Sequence, residues 1–263
     1  MAGDIGRKAG KSKRAPSVSN ESFTPARSRL WVTLLWVAAA AVAMILANVL
    51  GLLAFYAWHG VSHPGAPVVL QKLVTNGSAV GISTAVASPL LILFFVWAAR
   101  MNGPDAAAYL ALRWPGARDW GAAIAVGIAM FALEFTAERF ISDPQADAFM
   151  AGTFLSARSD GTLAVLILAF VILAPASEEL AFRGFFYARL EPRLGSAAAV
   201  LLTSLAWAGL HIQYGLASIA EIVVIGLMLG TLRWYSRSTL LPILIHAAWN
   251  AAGLVGIALA NGH

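Results

Sequence analysis

The chain has 263 residues, of which 59% are hydrophobic and 12% charged, with a mean hydropathy of +0.74 and a net charge of +5. Soluble domains carry about 45–50% apolar and about 25% charged residues, so one water-soluble core could not hide this much apolar surface. Without cysteine, disulfides, thiolate catalysis and cysteine-ligated zinc are excluded. The basic excess is placed as a membrane protein would place it, not as a nucleic-acid binder would.

Residues 1–29 are rich in Lys, Arg, Ser, Gly and Pro and cannot bury enough surface to fold. The basic run from Lys8 to Arg14 beside an apolar segment predicts a cytoplasmic tail held by anionic membrane lipid. From there the composition predicts an all-α, polytopic transmembrane helical bundle. Seven spans are expected, at about 31–57, 79–99, 119–137, 162–186, 197–214, 217–234 and 239–260. An eighth span or a re-entrant piece would also fit. The chain then divides into the tail (1–29), N-terminal transmembrane helices (30–161) and a C-terminal core (162–263).

Loop charges orient the bundle. With the N-terminus inside, fifteen of the eighteen basic residues fall inside: seven in the tail, then Arg100, Arg113, Arg118, Arg183, Arg189, Arg193, Arg233 and Arg237. Only Lys72, Arg139 and Arg158 fall outside, beside an acidic external loop with Glu138, Asp143, Asp147 and Asp160. The positive-inside rule therefore predicts a multi-pass protein of the cell membrane with a cytoplasmic N-terminus.

Charge at the centre of a spanning helix costs about 2.5–3.5 kcal/mol on insertion scales, so such residues face a polar interior. The fourth apolar segment nevertheless contains Glu178, Glu179 and Arg183. Glu179 and Arg183 are four apart, in the order that favours an ion pair, while Glu178 points about 100° away. One carboxylate is neutralised locally; its neighbour stays available in a low-dielectric place, which suits a general base. His211 follows Trp207 at the end of the fifth segment, and His246 and Asn250 share a face of the seventh. Any one of these could be a polar group hydrogen-bonded between helices. Glu178, His211, His246 and Asn250 together form a set that activates water and stabilises an oxyanion, or that binds a metal through N and O ligands. Straight helices would place Glu178 near the inner side and His211 near the outer, so the two meet only if helices tilt or break, for which Pro175, Gly209 and Gly215 offer places.

Smaller features have plainer readings. His59 and His63 flank Gly60 and precede Pro64, which predicts an external loop rather than a helical metal pair. Gly226 and Gly230 predict close packing within the protein rather than dimerisation. Glu134 is expected in an interfacial acidic cluster with Glu138, or on the wall of the cavity, and Glu221 in an interfacial position.

The run Glu178-Glu179-x-x-x-Arg183, the aromatic-x-x-x-His at 207–211 and His246-x-x-x-Asn250 resemble the CPBP family of CAAX prenyl endopeptidases and bacteriocin-processing enzymes, over about residues 162–255. Trp207 stands where that family usually has Phe. The resemblance implies an intramembrane endopeptidase in which Glu178 and His211 activate water. His246 and Asn250 would stabilise the oxyanion or help to bind a metal, with Glu179, Arg183 and Trp207 in support. It also implies a peptide or protein substrate, membrane-anchored or lipidated, and no nucleic acid. The family has been described both as zinc-type metallopeptidases and as metal-independent glutamate peptidases, and the side chains fit either; Asn is an uncommon zinc ligand, which favours the glutamate mechanism. Two other classes use the same residues: an ion-coupled transporter, which predicts inverted repeats that this sequence does not show, and a non-catalytic membrane partner or immunity factor.

Overall fold

The computed structural model describes residues 30–140 and 143–261; the basic tail lies outside the described residues. The fold is all-α. Six helices are long and apolar enough to cross a bilayer: α1 (Leu30–Ser62), α2 (Gly77–Asn102), α3 (Ala117–Phe140), α5 (Leu163–Leu194), α7 (Leu216–Ser236) and α8 (Leu240–Ala260). A shorter helix, α4 (Pro144–Ser159), occupies the acidic connection that the sequence left as a loop, and α6 (Ser196–Ala208) follows α5.

The fifth expected span, 197–214, is corrected by this arrangement. α6 has only 13 residues, about 20 Å at 1.5 Å per residue, short of a hydrocarbon core of roughly 30 Å. The chain leaves helical geometry at Gly209 and continues as turns to Gly215. α5 has 32 residues and runs beyond the expected boundary at 186 to Leu194. Glu178 therefore sits at the middle of α5, not near one membrane face, and the end of α6 reaches a comparable depth. The helix boundaries, not the site, were the source of the depth conflict.

Antiparallel packing sorts the connections into two ends. At one end, Arg113 Nε donates to the Arg237 carbonyl (3.0 Å), Thr239 Oγ1 donates to the Leu110 carbonyl (2.6 Å), and Arg189 Nη1 donates to Asn102 Oδ1. At the other end, the Gly77 amide donates to Ser156 Oγ (2.7 Å), Ser78 donates to Asp160 (2.8 Å), and the Gly215 amide donates to Asp143 (2.9 Å). The first end carries Arg100, Arg113, Arg118, Arg189, Arg193 and Arg237; the second carries Arg139 and Arg158. Arg183 and Arg233, counted with the inside residues in the sequence, are buried in the bundle.

α1 packs antiparallel on α2, with Trp36 against Trp97 and Gly51 against the Ser83 backbone. Its outer face exposes Leu34, Leu35, Ile45, Leu46 and Leu53, as a lipid-facing helix does. α6 packs antiparallel on α7 through the two expected glycines: a Cβ at Gly226 would lie 3.0 Å from Ser204 Cβ, and one at Gly230 would lie 2.8 Å from Val200 Cγ1. His59 and His63 correct a second expectation. α1 continues through Gly60 to Ser62, and the imidazoles stack at 5.1 Å on consecutive turns. Pro64 restricts only the residue before it, so it ends the helix without unwinding the preceding turn.

Candidate active site

α5 is not a regular α-helix, and its irregularities lie on either side of the two glutamates. Residues Leu168–Leu173 and Leu180–Phe186 adopt π-helical turns. The first has a legible cause: Pro175 has no N–H, and the Ala174 amide donates to the Ala169 carbonyl, leaving the Phe170 carbonyl without a partner in the helix. Asn250 Nδ2 supplies that bond at 2.8 Å. In the second turn the Tyr187 amide donates to Gly184 and Phe182, and the Arg183 carbonyl left over accepts from Arg233 Nε at 3.0 Å. α5 is thus pinned to α7 and α8 through carbonyls that its own register releases.

Between these turns the helical spacing separates Glu178 from Glu179, as expected. Arg183 Nη1 donates to Glu179 Oε1 at 2.9 Å, with both side chains fully buried. Arg183 Nη2 donates to the Gly226 carbonyl at 3.0 Å, and the guanidinium lies over the Trp207 ring at 4.8 Å. The sequence did not reveal Glu179's other partner: His246 Nδ1 lies 3.0 Å from the same Oε1. A carboxylate paired with arginine only accepts, so Nδ1 carries the hydrogen and His246 keeps Nε2 for other contacts. Glu179 therefore orients a histidine as well as neutralising an arginine.

Glu178 turns to a different neighbour. Trp207 Nε1 donates to its Oε2 at 2.6 Å, leaving Oε1 outside that bond. The ring that stands where the resembling family has Phe thus brings an N–H to the carboxylate. His211 Nδ1 lies 3.0 Å from the Trp207 carbonyl, which only accepts, so this imidazole also keeps Nε2 in reserve. Both imidazoles pack edge-on against the Trp207 ring, at 5.1 and 5.3 Å.

Glu178, Trp207, His211, His246 and Asn250 line one cavity of about 910 Å³. Asn250 spends one amide hydrogen on Phe170; the other hydrogen and Oδ1 are not used by that bond. Glu134 also lines the cavity, where Trp249 Nε1 donates to its Oε2 at 2.6 Å. Of its two expected positions, Glu134 occupies the cavity wall. Glu221 lines the cavity as well.

Tyr214, which no motif marked, stacks on His211 at 6.1 Å. Its hydroxyl donates to Met150 Sδ at 3.5 Å.

Zinc ligation by Glu178, His211, His246 and Asn250 requires donors converging on one point. The described residues contain no group of three or more His, Asp or Glu so placed. Two Nε2 lone pairs and one carboxylate oxygen are chemically suitable, but they are not assembled as a preformed zinc cradle.

Asp143 lines the cavity at the end formed by α4 and the start of α7. It caps α4 through the Gln145 and Ala146 amides and also accepts from the Gly215 amide (2.9 Å) and Ser218 Oγ (2.6 Å). The Ser218 hydroxyl, helped by the backbone amides of Ala146, Gly215 and Gln145 and opposed by burial, holds this carboxyl below its ordinary value. A depressed carboxylate stabilises above its unfolded pKa, near about 4, and that contribution is lost as pH falls through the folded value. Hydrogen-exchange protection in residues 209–218, relative to the intrinsic rate at each pH, should therefore fall below about pH 4. Asp143→Asn should show the lower protection already at neutral pH.

Residues 160–252 match the family model described as type II CAAX prenyl endopeptidase Rce1-like. An Escherichia coli protein described as an uncharacterized 24.3 kDa protein is 33% identical over 117 residues, covering 42% of this chain and 52% of that protein. The chain spans about half the length of that curated relative. No solved structure matches.

Proposed function

We propose, from the premise that residues 160–252 belong to the Rce1-like CAAX protease family, that this chain is an intramembrane endopeptidase that hydrolyses a peptide bond with Glu178 as general base. The observation that carries this reading is the indole N–H of Trp207 on Glu178 Oε2, at the wall of a cavity shared with His211, His246 and Asn250. One carboxylate oxygen is fixed and the other remains to take a proton from water. The hydroxide equivalent attacks the scissile carbonyl carbon, and the proton held by Glu178 passes to the leaving amine.

His211, oriented through Nδ1, offers its Nε2 lone pair to position that water. The free amide hydrogen of Asn250 donates to the oxyanion. His246, when protonated, would add an Nε2–H stabilised by Glu179 behind it. Chemistry by side chains and water alone fits donors that do not converge on an ion, and it predicts cleavage that withstands strong chelators.

The test compares membrane peptides and proteins of cells carrying the wild-type chain or Glu178→Ala. Fragments present only with the wild-type chain are expected, and their ends give the cleavage site. Identical fragment sets would favour a non-catalytic membrane partner.

A further inference from the structure

The lining of the cavity reaches only one of the two ends of the bundle. Its outermost lining residues, Arg139, Phe140, Asp147, Gln213 and Ser218, come from the connections around α4 and before α7. Among the described residues none of its lining comes from 100–118, 186–196 or 233–240, the segments that form the basic end. That half of the bundle is filled instead. Phe95, Tyr109, Leu110, Phe185 and Leu229 pack there as a buried cluster beneath the Arg183–Glu179 pair.

Charge assigns the two ends to the two sides of the membrane. The filled end carries six arginines in its connections and terminal turns, and the tail that leads into α1 from this end adds seven more basic residues. The end where the cavity emerges has Arg139 and Arg158, with Lys72 by chain position, among Asp143, Asp147 and Asp160. Basic residues close to spanning segments stay on the cytoplasmic side, and acidic ones contribute little to that choice. The mouth of the cavity therefore faces away from the cytoplasm.

We propose that the site takes its substrate from the extracytoplasmic face: a membrane-attached peptide segment that has already crossed the bilayer, rather than the cytoplasmic end of a chain. This rests on the peptidase reading for what happens to the segment, but the direction of access can be measured without any cleavage. The chain contains no cysteine, so single cysteines report without background.

Three variants of the full chain are expressed separately and exposed, in spheroplasts, to a membrane-impermeant maleimide. Asp147→Cys lies at the mouth; Gly253→Cys lies in the wall, where an added Cβ meets nothing within 4 Å; Ala107→Cys lies on the basic end. Labelling after denaturation confirms each thiol. The expected result is labelling of Asp147→Cys and Gly253→Cys in intact spheroplasts and of Ala107→Cys only after lysis. The reverse pattern overturns the orientation. Labelling of Asp147→Cys without Gly253→Cys overturns access through this mouth. Loss of cleavage, or its persistence, in Glu178→Gln is read separately, so failure of the peptidase reading leaves the accessibility result standing.

Discussion

Glu179→Ala is expected to destabilise the protein by about 3–5 kcal/mol, the cost of removing one partner from a fully buried ion pair. Arg183 has no exposure to solvent, and its remaining contacts are the Gly226 carbonyl and the Trp207 face, neither of which carries a compensating charge. His246 loses its Nδ1 acceptor in the same step. Thermal unfolding in detergent measures this directly, as a large fall in midpoint or failure to recover folded protein. The double replacement Glu179→Leu with Arg183→Met should regain part of the loss, because it removes both charges together. A midpoint for Glu179→Ala equal to wild type would mean that the pair does not hold α5 against α7 and α8.

His211→Ala is expected to lower the turnover of the cleaved peptide by about 10²–10⁴-fold, the usual range for a positioned acid or base group. Stability should change little, because His211 is half-buried in the turns after α6 and its imidazole bonds only to the nearby Trp207 carbonyl, while the backbone bonds of the residue survive the change to Ala. The two variants separate the two jobs within the motifs. Glu179 is measured by melting and His211 by rate. A rise in KM alone, with turnover unchanged, would move His211 from water activation to substrate binding.

Much of this was legible in the residues. The 100° rotation between Glu178 and Glu179 separates the two carboxylates, and the structure pairs Glu179 with Arg183 while Glu178 accepts from the Trp207 indole. The positions of His246 and Asn250 one turn apart place both on one cavity wall. What was hidden is tertiary. Helical spacing names Arg183 as a partner of Glu179 but contains nothing about His246, which arrives from a helix more than sixty residues away in the chain. Asn250 reads as an oxyanion or metal residue, and half of its amide instead satisfies a carbonyl released by Pro175. Pro175 within an apolar helix was the available signal for that π turn.

Helix ends were the least legible feature. Composition does not register that α6 stops at Ala208, because Leu210 and Ile212 carry apolar residues past its end. That misplacement put His211 and Glu178 at different depths. Tyr214 belongs to no motif, and Glu134 reads equally as interfacial or as cavity wall; the packing of α3 and α8 against the turns before α7 brings both to the same cavity.

The central claim is that Glu178, held by the Trp207 indole, pulls the proton from the attacking water. The most direct measurement is hydrolysis by purified Glu178→Gln, assayed on a peptide identified from wild-type membranes, beside its thermal unfolding. Gln keeps an oxygen for the indole N–H but has no carboxylate to accept a proton, so the midpoint should stay near wild type while hydrolysis is lost. Hydrolysis at the wild-type rate by a folded Glu178→Gln protein would contradict the account.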